Sequence, residues 1–195
     1  MRGFSARYDA ALSLAATAHR TQKRKGSDVP YIVHPVQVST ILLRYGFAED
    51  EVIAGLLHDV VEDQEVPLDS IEAEFGPAVA ATVAALSERK REGDRQRPWE
   101  ERKKEALAHL RQAGAGAMAV KAADVLHNAH SLRTHLQRDG AAAWDDYSRG
   151  SGQTLWYYRS VLEIVETELG GHPLLDEVAD AVGDLERVIH QMGTR

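Results

Sequence analysis

"LLHDVVED", residues 56–63, sets His58, Asp59, Glu62 and Asp63 into an otherwise apolar stretch. The apolar residues around them recur at helical spacing, and Val52, Ile53, Leu56, Leu57, Val60 and Val61 make one greasy side. At 100° per residue, His58, Glu62, Asp59 and Asp63 fall at about 0°, 40°, 100° and 140° on the helical wheel. The spacing predicts one helix over residues 49–63, with His58 stacked over Glu62 and Asp59 over Asp63 on a polar arc. A merely solvated face seldom joins a histidine to an aspartate and adds two more carboxylates one turn on. The rest of the chain decides whether these groups hold a metal or only face water.

The helical period continues on both sides. It predicts helices at about 5–22, 35–45, 49–63, 68–75, 77–90, 98–113, 115–136, 153–169 and 173–191. Pro35 suits a first helical turn, where its missing N–H costs nothing, and this places His34 at the N-cap. "EFGP" (74–77) stops one helix and starts another by the same logic. "PYIVHPVQV" (30–38) is the one run rich in β-branched residues, and its prolines cut it. "SRGSGQ" (148–153) is the most linker-like segment. The expectation is an all-α chain: one compact bundle of about eight to ten helices. It would form a single domain over 1–195, with the helices at 153–191 packed on the rest.

Composition narrows the partners. The 195 residues are 44% hydrophobic and 27% charged, ordinary for a globular protein able to bury a core. There is no cysteine, which removes disulfide and thiol chemistry. No run is long enough to span a membrane. The N-terminal apolar stretch is broken by Arg7 and Asp9, so it reads as an amphipathic helix rather than a signal peptide, and a cytoplasmic protein is the default. A net charge of −7 speaks against nucleic acid and anionic membranes as partners. It leaves room for a small polyanion where cations concentrate. "RTQKRK" (20–25) carries four cations and no acid, and residues 89–104 hold eight cations against four acids.

Imidazole and carboxylate together suit Mn²⁺, Fe²⁺ or Zn²⁺, and the lack of thiolate argues against a structural zinc site. Two adjacent side chains are too few ligands. His34 in "YIVHP" and Asp124 in "VKAADVLHN" are the further candidates. Asp124 sits mid-helix among Val120, Ala122, Ala123, Val125 and Leu126, where an unpartnered carboxylate is costly. A pairing with Lys121, one turn earlier, is the alternative to ligation.

The order His34, His58-Asp59, Asp124 resembles the HD-domain metal phosphohydrolases. More narrowly, "AHRTQKRKGSDVPYIVHPVQV" (18–38), "AGLLHDVVED" (54–63) and "VKAADVLHNAHSL" (120–132) resemble the hydrolase domain of the RelA/SpoT alarmone enzymes and their small stand-alone relatives. The match runs from about residue 10 to 136. It implies one Mn²⁺ held by His34, His58, Asp59 and Asp124, with Glu62 and Asp63 orienting and deprotonating the attacking water. It implies a guanine nucleotide as substrate, with Arg24 and Lys25 against the purine and phosphates. Asn128 and Ser131 would bond base or ribose, and Lys121 would meet a phosphate. "SERKREGDRQRPWEERKK" (87–104) parallels the basic segment that caps the phosphate site, with Lys90 and Arg102 as its contacts.

Past residue 136 the resemblance fades. In "GQTLWYYRSVLEIVE" (152–166), Trp156 and its neighbours either anchor the helix in the core or let Tyr157 or Tyr158 border the pocket. The synthetase and regulatory domains of the bifunctional relatives would need several hundred more residues, so a hydrolase or a binder is expected. The implied reaction is removal of the 3′-pyrophosphate of (p)ppGpp. A phosphatase acting on NADPH or a deoxynucleotide, or a non-catalytic nucleotide-binding module, are the alternatives. Oligomeric state is left open.

Overall fold

The computed structural model describes residues 5–147 and 149–193. These form ten α-helices, one 3-10 helix and a two-stranded hairpin. The order is α1 (Ala6–Ala18), α2 (Val33–Arg44), α3 (Glu49–Leu57), α4 (Val60–Gln64), α5 (Leu68–Phe75) and α6 (Pro77–Leu86), then β1 (Arg91–Glu92) and β2 (Arg95–Gln96). There follow α7 (Trp99–Gln112), α8 (Ala115–Asp139), the 3-10 turn Gly140–Asp146, α9 (Ser151–Leu169) and α10 (Pro173–Gly193). The all-α expectation holds.

Local chemistry sets the ends. Ser5 caps α1 by accepting from the Tyr8 N–H at 3.1 Å. Glu49, Asp50 and Glu51 crowd the first turn of α3, where the helix dipole favours acids. Gly76, at φ +90°, turns the chain between α5 and α6, and Pro77 opens the next helix as the sequence predicts.

α8 is the axis of the bundle and packs against α2, α3, α6, α9 and α10. At 1.5 Å per residue its 25 residues reach about 37 Å. Its alanines at 117, 119, 122, 123 and 129 are buried, which lets neighbours approach from several sides. α2 and α3 press together at Gly55, where an added Cβ would lie 2.7 Å from Leu42 Cδ1. That close approach carries His34 on α2 toward His58 at the end of α3.

Several boundaries differ from the sequence expectation. The predicted helix 49–63 is broken: α3 ends at Leu57, Asp59 has φ −102° and ψ −8°, and α4 restarts at Val60. His58 Nδ1 lies 2.8 Å from the Gly55 carbonyl, so a side chain satisfies a carbonyl at the end of α3. The smooth wheel is therefore lost, and His58 turns inward, 3% exposed, instead of sharing a polar arc with Glu62. His34 is not an N-cap. α2 begins at Val33, with Ile32 as cap and Pro35 still inside the first turn. α1 stops at Ala18, short of residue 22, because the chain then turns and bridges Lys23 to Pro30. The helix expected to reach residue 90 stops at Leu86 and gives way to the hairpin. α8 runs past residue 136 to Asp139. Of the linker-like stretch 148–153, Ser148 lies outside the described residues, and α9 already begins at Ser151.

Candidate active site

Three elements bring four side chains to one point. His34 comes from the first turn of α2, His58 and Asp59 from the break between α3 and α4, and Asp124 from the middle of α8. His34 Nε2 lies 3.2 Å from Asp124 Oδ1 and 3.6 Å from Asp59 Oδ2. His58 Nε2 lies 3.2 Å from Asp59 Oδ2 and 4.0 Å from Asp124 Oδ1. One ligand atom each from His34, His58 and Asp59 fall within 4.8 Å of one another.

The donor set fits a divalent cation. His58 Nε2 is buried and has no hydrogen-bond partner among the described residues, although Asp59 Oδ2 lies 3.2 Å away. Groups pointing at one spot in this way could share an ion. Both imidazoles are oriented from behind, which leaves each Nε2 facing the cluster: His58 Nδ1 by the Gly55 carbonyl, and His34 Nδ1 by His127 Nδ1 at 2.8 Å. Tyr31 donates its hydroxyl to Asp59 Oδ2 at 2.6 Å. Lys121 and Asn128 donate to the two oxygens of Asp124 at 2.8 and 2.5 Å.

The electrostatics agree. Burial opposes charge on His58, but the Asp59 carboxylate outweighs it and pushes the imidazole up to about 9. Burial holds His34 below its usual value. Burial would raise the two aspartates, yet His58 holds Asp59, and Lys121 holds Asp124, well below the usual carboxylate range. Burial drives His127 down to about 3, with His34 adding to the shift, so it stays neutral.

Above this cluster opens a cavity of about 830 Å³. Its lining includes nine lysines and arginines against five carboxylates, in a chain of net charge −7. Arg24, Lys25, Glu62, Asp63, Lys90, Arg102, Lys121, Asn128, Ser131 and Tyr157 all face this one space. Glu62 Oε2 accepts the Glu88 N–H at 3.0 Å, and its Oε1 lies 3.2 Å from Lys90 Nζ. Lys90 also donates to Asp63 Oδ1, and Gln22 donates to Asp63 Oδ2 at 2.8 Å. Burial raises the pKa of Glu62, and Glu88 raises it further. Arg24 donates to Asn128 Oδ1 at 2.8 Å and lies over the Tyr31 ring. Arg102 is paired with Glu88 at 3.2 Å. Tyr157 is buried against Lys103, whereas Trp156, expected as an anchor, is 39% exposed.

Sequence reasoning passed over Gln22, Tyr31, Glu88, Lys103 and His127. Tyr31 and Gln22 lie inside the quoted 18–38 motif, and His127 stands one turn after Asp124 on the same helix face. Those positions were a usable signal. Glu88 and Lys103 lie inside the quoted 87–104 segment, but nothing local sets them apart from its other charged residues.

A helical bundle with this His, His-Asp, Asp cluster defines a class. The HD domain family matches residues 11–146, and the chain belongs to that family, which implies a divalent metal. The guanosine-3′,5′-bis(diphosphate) 3′-pyrophosphohydrolase MESH1 of Mus musculus is 32% identical over 170 residues, spanning 86% of this chain and 87% of that protein. Its Drosophila melanogaster counterpart is 34% identical over 150 residues, spanning 72% and 81%. The solved structure of a metazoan ortholog of SpoT, which hydrolyzes ppGpp and plays a role in starvation responses, covers 99% of both chains with a TM-score of 0.74 and 26% identity. No helix among the described residues is long and apolar enough to cross a membrane.

Proposed function

We propose that this chain is a Mn²⁺-dependent hydrolase that removes the 3′-pyrophosphate of guanosine tetra- or pentaphosphate, giving GDP or GTP and pyrophosphate. The observation that carries this reading is the cluster of His34, His58, Asp59 and Asp124, of which all but the buried His58 line a cation-rich cavity together with Glu62 and Asp63. The names of the relatives supply the substrate class.

His34, His58, Asp59 and Asp124 would hold the metal, which supplies Lewis acidity: it lowers the pKa of water and polarises a phosphoryl oxygen. The remaining work belongs to the side chains. Asp63 is fixed by Gln22 and Lys90, and it orients the attacking water. Glu62, with its raised pKa, takes the water's proton more readily than an ordinary surface carboxylate would. The water oxygen bonds to the phosphorus attached to O3′, the O3′–P bond breaks, and O3′ takes up a proton. Arg24 and Lys25 grip the nucleotide at one side of the cavity, Arg24 by stacking and hydrogen bonding. Asn128 and Ser131 bond the base or ribose. Lys90, Arg102 and Lys121 counter the charge of the phosphates, with Tyr157 as a wall. Positioning and charge neutralisation account for most of phosphoryl transfer, and this lining offers both.

The test is incubation of the Mn²⁺-loaded protein with ppGpp, reading pyrophosphate. Glu62→Gln and Asp63→Asn should each lower kcat by about 10²–10⁴-fold. Folded, metal-loaded protein that releases no pyrophosphate rejects the proposal. A parallel panel with NADPH and deoxynucleotides, read for phosphate against pyrophosphate, separates the other substrates.

A further inference from the structure

Below the cavity floor, His19 ends α1 and is 1% exposed. Its Nδ1 lies 2.6 Å from Gln22 Oε1. Its Nε2 is buried and has no hydrogen-bond partner among the described residues. A buried nitrogen without a partner is costly, and an apolar ring of similar size would avoid that cost. The histidine therefore asks for a reason, and the reason lies on its other nitrogen.

Gln22 is held by its backbone on both sides: its N–H bonds the His19 carbonyl at 3.0 Å, and its carbonyl accepts from Tyr31 N–H at 2.9 Å. Its side-chain amide can be placed either way round, and the neighbours decide which. Gln64 Nε2 donates to Gln22 Oε1 at 2.6 Å, at the same end as His19 Nδ1. Asp63 Oδ2 is an acceptor, so the NH₂ of Gln22 must face it and the oxygen lies at the other end, toward Gln64 Nε2 and His19 Nδ1. That NH₂ faces Asp63 Oδ2 at 2.8 Å, while Lys90 holds the opposite carboxylate oxygen. Were the amide reversed, its oxygen would face the Asp63 carboxylate and two donors would face an NH₂. With the oxygen at that end, His19 Nδ1 carries the proton that is shared with Gln22 Oε1.

We propose that His19 and Gln64 are positioning residues that act through Gln22: they lock its amide so that the NH₂ holds Asp63 in the plane needed to orient water. This rests on the reading of Asp63 given above. His19 touches neither substrate nor the reacting atoms, and its effect travels through one amide group.

Three variants and two readouts test it. His19→Phe keeps a ring and removes the donor; His19→Asn keeps an N–H near the Nδ1 position and loses the ring; Gln22→Met removes the amide. The side-chain NH₂ of Gln22, followed by NMR in ¹⁵N-labelled protein without substrate, should exchange slowly with water in wild type and His19→Asn. It should exchange fast in His19→Phe. With ppGpp, His19→Phe should lose about ten- to a hundredfold in kcat with KM nearly unchanged. His19→Asn should regain most of that rate despite a lower Tm. In the Gln22→Met background, His19→Phe should cost nothing more in kcat. An amide still protected in His19→Phe, or His19 and Gln22 effects that simply multiply, overturns the lock. If wild type keeps the protected amide but releases no pyrophosphate, the functional reading fails while the lock stands on the exchange data.

Discussion

Raising the pH from about 6.5 to about 8.5 should tighten Mn²⁺ binding by about a hundredfold, through a single proton. In the metal-free protein the Asp59 carboxylate, overcoming burial, pushes His58 up to about 9. Ligation requires the bare Nε2 of a neutral ring, because Nδ1 is committed to the Gly55 carbonyl. Below about pH 9 each bound cation must displace that proton, so affinity falls about tenfold for each pH unit lost. The other proposed ligands add none. Burial keeps His34 below its usual value and already neutral, and the partners of Asp59 and Asp124 keep both ionised. The same shift acts on stability with the opposite sense. His58 has a folded pKa above its unfolded value of about 6.5, so its contribution is full below about pH 6.5 and is lost as pH rises through about 9. The amount is on the order of 3 kcal/mol in the metal-free protein. Calorimetric titration with Mn²⁺ in two buffers of different ionisation enthalpy counts the protons directly. About one proton should be released near pH 7.5, and His58→Gln should flatten the pH dependence. An affinity that stays level across the range, or binding without proton release, would refute the protonation scheme drawn from these distances.

Three further outcomes follow from other parts of the molecule. Gly26 stands at φ +65°, and a Cβ there would come 2.1 Å from His135 Cε1 and 2.3 Å from Asp146 Oδ2. Gly26→Ala should therefore displace the Arg24-Lys25 segment and raise KM for ppGpp by about tenfold, with metal affinity by calorimetry unchanged. Tyr31→Phe removes the 2.6 Å hydrogen bond to Asp59 and should weaken Mn²⁺ binding by about 10–100-fold in the same titration. Leu136→Ala opens a cavity at a fully buried position on α8 and should cost about 2–5 kcal/mol, read as a lower midpoint in urea denaturation.

The helices were legible because burial of one face repeats every 3.6 residues, and that period is written along the chain. Pro77 after Gly76 could be read as a boundary because both residues act on their own backbone. The break at His58-Asp59 was not legible in the same way. It depends on a ring nitrogen meeting the Gly55 carbonyl, and the local pattern of Leu56, Leu57, Val60 and Val61 reads as unbroken helix. The pairing of Lys121 with Asp124 was open from the sequence alone. In the fold the lysine holds one oxygen of Asp124 while the other lies near the imidazoles.

By itself the sequence determined the elements and the chemical types available: histidines and carboxylates at helical spacing, with cations gathered in two segments. Only the tertiary structure decided which nitrogen and which oxygen meet, because those contacts join residues far apart in the chain: Arg24 meets Asn128, 104 positions on. Local propensity fixes where a helix runs. Close packing of α2, α3 and α8 fixes where its side chains aim, and hydrogen-bond partners such as His127, Tyr31 and Gln22 settle which atom each one presents.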